Sequence, residues 1–143
     1  MIIMVDIEAL KEKWMPKLEA QDLKFGELKE VLELMVGVAN ENEDFADEYG
    51  SFTKTYQFNV SDKPEAEWMW MKVEAGKFSA GMGKLPKYDL QFSMNSQCAA
   101  DMISGKLDSN SAFIKGDLKI DGQIKDGVKF QGIMALFKDV MDL

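Results

Sequence analysis

Cys98 is the only cysteine in the chain and therefore the one candidate thiol nucleophile. It stands at the start of a predicted helix behind Asn95 or Ser96, where the helix dipole would lower a thiol pKa. No basic residue adjoins it in sequence, and a small helix-packing residue is the favoured reading. The chain contains no histidine, which removes the usual general base, the Cys-His pair and imidazole metal ligands. No Gly-x-Ser-x-Gly elbow presents a serine nucleophile. Gly81-Met82-Gly83 lacks the third glycine and following helix of a dinucleotide fingerprint, and no Gly-Lys-Ser/Thr phosphate loop occurs. The acidic run at residues 41–48 holds Glu41, Glu43, Asp44, Asp47 and Glu48. It lacks the alternating oxygen ligands, central glycine and closing glutamate of an EF-hand, so a solvated acidic connection is expected. Catalysis is not expected, and neither a metal nor a cofactor.

The chemistry that remains is apolar. Eleven methionines accompany Trp14, Trp68, Trp70 and nine phenylalanines in 143 residues. Methionine fills gaps in cores, and it also lines surfaces that adapt to flexible ligands. With 46% apolar and 29% charged residues, the chain fits one domain, residues 1–143, around a single core. A net charge of −8 and a pI near 4.6 argue against nucleic acid and anionic headgroups, which attract basic faces. A lone cysteine excludes an intramolecular disulfide, and the start Met1-Ile2-Ile3-Met4-Val5 lacks the long apolar core and basic flank of a signal peptide. No apolar run approaches the ~20 residues that span a bilayer, and the end is not a Ser-Lys-Leu address. A cytoplasmic location without stable membrane insertion is expected. Asn59-Val60-Ser61 matches a glycosylation acceptor, but it falls within a predicted strand.

Periodicity supplies the elements that would position these side chains. Asp6 caps a helix with Ile7, Leu10 and Trp14 on one face, which Pro16 should end or kink. A second helix starts near Phe25, with Leu28, Val31, Leu32, Met35, Val38 and Ala39 on one side and Glu27, Glu30 and Glu33 mostly opposite. From Phe52 the period becomes two. Tyr56, Phe58 and Val60 share one strand face, and Thr53, Thr55, Gln57 and Asn59 the other. Asp62-Lys63-Pro64 turns the chain into a strand from Trp68 to Val73 that is apolar on both faces, as for a strand covered on each side. Lys77 to Met82 suits an edge. Tyr88, Leu90, Phe92 and Met94 alternate in a fourth strand. Asn95 or Ser96 then caps a helix through Ala99, Met102 and Ile103 that Gly105 ends. Asp108 caps a shorter one ended by Gly116, and residues 117–121 form a fifth strand closed by Gly122. A helix from Gln123 completes the order.

The run Gly105-Lys-Leu-Asp108, then Ala112-Phe113, Gly116-Asp-Leu-Lys-Ile-Asp-Gly122 and Lys129-Phe130-Gln131 resembles the closing signature of the sterol carrier protein type 2 family of lipid-binding domains. Spacing and residue type agree from Gly105 to Gln131, and the order of elements agrees back to about Phe52. The N-terminal helices, residues 6–41, match no motif. The resemblance implies an α/β domain of the α+β type with a five-stranded, mixed, mostly antiparallel sheet in the order 3-2-1-4-5. Residues near Leu85 and Pro86 would cross over rather than form a hairpin. It also implies an apolar tunnel for a fatty acid, acyl-CoA, sterol or similar lipid, bound without catalysis. Trp70, Phe92, Met94, Met102, Phe113, Phe130, Met134 and Phe137 are the candidate wall residues, with the sheet face that turns to the tunnel left open. The alternative is a ligand-free interaction module that pairs its C-terminal apolar helix face with itself, as a homodimer, or with an enzyme.

In the last helix Phe130, Met134, Phe137 and Met141 form a stripe that Ile124 and Val128 do not join. A break near Gly127 or Gly132 is therefore expected, leaving the last segment either a separable lid or the closing piece of the core.

Overall fold

In the computed structural model, which describes residues 6–143, the carboxylate of Asp6 accepts from the Ala9 amide at 3.1 Å and starts α1 (Ile7–Glu19). The Met1–Val5 stretch, argued above to be no signal peptide, lies outside the described residues. α1 does not end at Pro16 but runs through it to Glu19. Proline forfeits the bond to the carbonyl of Glu12, an exposed residue that water reaches, while Trp14 and Leu18, one turn apart and both buried, hold the turn to the core. A tight 3-10 turn at Phe25–Glu27 leads into α2 (Leu28–Glu41). Glu27 ties the turn to its neighbours by accepting from the Lys24 amide and pairing with Lys17.

The acidic run is a helix rather than a connection, α3 (Glu43–Tyr49). The Asn42 side chain caps it by accepting from the amides of Asp44 and Phe45. Glu43 and Asp44 suit the positive end of the helix dipole. Phe45 and Tyr49, four residues apart, are buried against Phe78, with ring centroids 5.5 and 6.3 Å away. Two aromatic anchors outweigh the solvation of the charges between them.

Five strands follow: β1 (Lys54–Val60), β2 (Met69–Glu74), β3 (Lys77–Met82), β4 (Leu90–Met94) and β5 (Lys119–Gly122). Their order is β3-β2-β1-β4-β5, as expected. β1 and β4 are parallel, with Phe58 opposite Phe92, and every other pair is antiparallel. Tyr56, Phe58, Val60, Met69, Met71, Leu90, Phe92 and Met94 face one layer of helices and are buried. α2 packs over β3, and the C-terminal helix reaches the central strands.

Among the described residues no helix covers the opposite face, contrary to the doubly covered β2 expected from sequence. Trp70 and Lys72 are only half-buried there. What crosses that face is the connection at residues 83–89. It is pinned by Gln57, which is fully buried although the alternation assigns it to a polar face. The Gln57 amide donates to the carbonyls of Met69 (3.2 Å) and Gly83 (3.1 Å), and its oxygen accepts from the Leu85 amide at 2.8 Å. This clamp returns the chain to β4 as a crossover.

α4 (Ser96–Ile103) and α5 (Ser109–Lys115) cover the far end of the sheet. Asn95 and Asp108 cap them, as the sequence suggests. Gly105 and Gly116, at φ +83° and +84°, make the left-handed exits. α6 (Ile124–Val140) is one continuous helix. The expected break is absent because Gly132 makes room rather than a bend: a Cβ there would stand 2.9 Å from the Tyr49 hydroxyl. Near its start, Asp126 is buried and pairs with Lys54 at 3.3 Å.

Candidate functional site

Phe130 of α6 lies on the aromatic floor of the helix layer, with centroids 5.0 Å from Phe92, 5.5 Å from Phe58 and 5.2 Å from Tyr56. Phe58 and Phe92 stack almost parallel, 6° apart. Beside this cluster the layer does not close, and a cavity of about 230 Å³ remains between the sheet, α4 and α6. Phe58, Met69 and Met94 form its floor from three adjacent strands. Ala99, Met102 and Ile103 of α4 form one wall, and Phe130, Met134 and Phe137 of α6 the other. Leu18 and Leu32 close the back from α1 and α2.

The mouth is polar. Gln131 donates to the Ser109 hydroxyl at 2.6 Å, bridging α6 and α5 at the rim. Asp108 lines the rim, but both its oxygens are engaged, with the Asn110 amide at 2.8 Å and the Ser111 hydroxyl at 2.7 Å. These bonds, the Ser111 hydroxyl first, hold its carboxyl below the usual aspartate value. Lys138 also lines the rim and makes none of the ion pairs found among the described residues. Gly105 gives its ammonium room, since a Cβ at that position would stand 3.2 Å from Nζ.

Five of the eight residues singled out from sequence meet at this cavity: Met94, Met102, Phe130, Met134 and Phe137. Phe92 stands just behind it as a support, buried under Phe58 and Phe130. Trp70 does not reach it. Its indole lies across the open face of the sheet against Gly81, where a Cβ would come within 2.5 Å of the ring. Phe113 points outward on α5 and is 50% exposed. Both miss because a period-two or helical pattern gives two faces and does not say which one turns inward. Phe58 was legible as part of the apolar face of its strand and Met69 only as one of two apolar faces, and nothing in their spacing marks a void above them. Leu18, Leu32 and Ala99 carry no signal beyond an ordinary apolar stripe.

The C-terminal stripe is turned inward as well. Ile133, Phe137 and Met141 are buried, while Met134 and Lys138 face the cavity, so the last turns of α6 close the core and the cavity together. Cys98 is buried on α4. Burial, with Asp117 and Asp101 adding, pushes its thiol up rather than down, the reverse of nucleophile activation.

The model of the SCP-2 sterol transfer family matches residues 28–135. The chain belongs to that family. Lipid binding in the general sense follows from this membership, and the N-terminal helix α2 falls inside the SCP-2 match although the sequence offered no motif there. The chain is 36% identical over 85 residues to hydroxysteroid dehydrogenase-like protein 2 of Danio rerio, an alignment that takes in 58% of this chain and 20% of that protein. It therefore spans about a fifth of that relative's length. Among solved structures, the sterol carrier protein domain 2 of Helicoverpa armigera superposes with a TM-score of 0.57 at 24% identity, covering 78% of this chain and 87% of that one. The sec-alkylsulfatase Pisa1 from Pseudomonas sp. contains a similar unit, with a TM-score of 0.58 at 20% identity over 73% of this chain and 16% of the enzyme. Both are likenesses of SCP-2 fold.

Proposed function

We propose that the chain binds one acyl chain or similarly slender lipid in the cavity beside Phe130 and carries it without altering it covalently. The observation that supports this most directly is an apolar void of about 230 Å³ floored by the Phe58, Met69 and Met94 side chains and opening at a polar rim. That volume lies below the range of about 300–1,000 Å³ usual for drug-sized ligands, which favours a flexible chain over a rigid ring system. Methionines from β2, β4, α4 and α6 line it and can repack around chains of different length. A chain that buries about 500 Å² gains about 12 kcal/mol, and subtracting about 4 kcal/mol for immobilisation leaves affinity of the micromolar class.

The head of such a lipid would sit at the rim beside Lys138. The sequence offers no headgroup clamp, because Lys138 falls off the apolar stripe. In the folded chain its ammonium leans over Gly105 at the mouth. A single cation there suits a carboxylate head and makes a fatty acid the preferred member of the acyl class.

The test is a titration with a fluorescent fatty acid and with its methyl ester. Both should bind saturably, and Lys138→Ala should weaken the acid several-fold while leaving the ester unchanged. Absence of saturable binding by either probe would defeat the proposal. Equal effects on both would defeat the role given to Lys138.

A further inference from the structure

The match to the SCP-2 family begins at Leu28, so α1 and the turn that follows it lie before the part of the chain that the family model describes. Family membership assigns them no role. Yet Leu18, in the last turn of α1, is 3% exposed and lines the cavity, whose back it closes together with Leu32 of α2. Part of the cavity wall is thus supplied by a helix that the match does not include.

Three polar ties fix α1 in register with that cavity. Lys13 pairs with Glu30 at 2.7 Å and Lys17 with Glu27, which hold the helix against α2 and against the 3-10 turn at Phe25–Glu27. The Gln21 side-chain amide donates to the Gly105 carbonyl at 3.0 Å, fastening the exit of α1 to a residue that lines the cavity. The Gln21 backbone stands at φ +53°, a left-handed conformation that a non-glycine residue keeps where its surroundings hold it there. The 3-10 turn also packs on α4, which forms one cavity wall. Sliding α1 to withdraw Leu18 would break these contacts together.

The walls also differ in stiffness. Met69, Met94, Met102 and Met134 line the floor and sides, and an unbranched thioether side chain shifts readily between rotamers. Leu18 and Leu32 at the back have branched side chains with few, well-defined rotamers. The cavity can therefore adapt its width more easily than its depth. A tail too short leaves part of the wall without contacts, and one too long leaves methylenes in water at the mouth.

We propose that Leu18 sets the length of the ligand, with α1 as a fixed end wall against which the tail of the acyl chain stops. This rests on the carrier function proposed above and adds selectivity by chain length to it.

Calorimetric titration with straight-chain saturated fatty acids of increasing length tests the proposal. In the wild type, affinity should rise about fourfold per methylene up to one length and then stop rising. Leu18→Ala should move that break to chains about two carbons longer, and Leu18→Val to chains about one carbon longer, the depth that each shortened side chain frees. Leu18→Ala will also lower Tm, and if it does not fold, Leu18→Val decides. Trp14→Leu, one turn earlier on α1 and outside the cavity lining, should lower Tm and leave the break in place. Affinity lost by one common factor at every length in the Leu18 variants would make Leu18 a packing residue and overturn the proposal. So would a break that Trp14→Leu shifts as far, or a wild type whose affinity climbs without a break. If no fatty acid of any length binds saturably, the carrier reading falls and this proposal with it; binding with an unmoved break refutes the length role alone.

Discussion

The Gln131 side chain donates to the Ser109 hydroxyl at 2.6 Å and so fastens the central turns of α6 to the first turn of α5 at the cavity mouth. One neutral hydrogen bond at a partly exposed site contributes about 1 kcal/mol. Gln131→Ala should therefore leave a cooperative fold while allowing α5 to swing from the rim. We predict several-fold faster release of an acyl probe in stopped-flow measurements, with a change of no more than a few degrees in Tm. Unchanged release together with lower stability would make the bond purely structural.

Gln57 makes the opposite prediction, because it lies on the far side of the sheet. Gln57→Ala removes the acceptor of the Leu85 amide and the donor to Met69 and Gly83. Leaving buried partners unsatisfied costs about 1–3 kcal/mol each, and they share one side chain here. Stability should fall by about that much, and hydrogen exchange should rise across residues 83–89, with acyl affinity retained. Lost affinity without faster exchange would show that the two faces are coupled in a way the fold does not suggest.

The caps at Asn95 and Asp108 and the left-handed exits at Gly105 and Gly116 were legible because each depends on local backbone chemistry, whereas the order of strands followed from the resemblance to the sterol carrier protein type 2 family. The errors share a different origin. Pro16 inside α1, the helical residues 43–49 and the unbroken α6 are cases where tertiary anchors, Leu18, Phe45 with Tyr49, and Tyr49 over Gly132, override a local signal. The cavity was half legible. Alternation and helical stripes place Met94, Met102, Phe130, Met134 and Phe137 on apolar faces and the family resemblance makes them wall candidates, but a void is what packing leaves unfilled, and no single position encodes it. The role proposed for Lys138 was not legible for the same reason, since it depends on the loop that Gly105 carries beneath its ammonium.

Acid should loosen the cavity from its α4 and α5 side. Asp62 accepts from the hydroxyl and amide of Ser96 at 2.6 and 2.8 Å, and Asp108 from the Ser111 hydroxyl and Asn110 amide. These bonds, the serine hydroxyl first in each case, hold both carboxyls below their ordinary value of 3.8. A folded pKa below the unfolded one gives stability that is present above the unfolded value and is lost as pH falls through the folded value. With no histidine in the chain, binding of a neutral-headed acyl probe should be flat from about pH 5 to 8 and should decline only below about pH 4. A midpoint near neutrality would contradict this.

The carrier account turns on whether the void beside Phe130 is where lipid sits. Ala99 is buried on α4 and lines it, so Ala99→Phe would place a ring in the void without touching the rim. Overpacking elsewhere in a core costs about 1–3 kcal/mol, but a side chain that enters an existing cavity is spared most of that strain. The decisive measurement is the stoichiometry and affinity of a fluorescent fatty acid by titration, wild type against Ala99→Phe, with Tm recorded for both. The account predicts saturable one-to-one binding by the wild type, at least about tenfold weaker binding by Ala99→Phe, and equal or higher Tm for the variant. A variant that stays folded and binds as tightly as the wild type would contradict it.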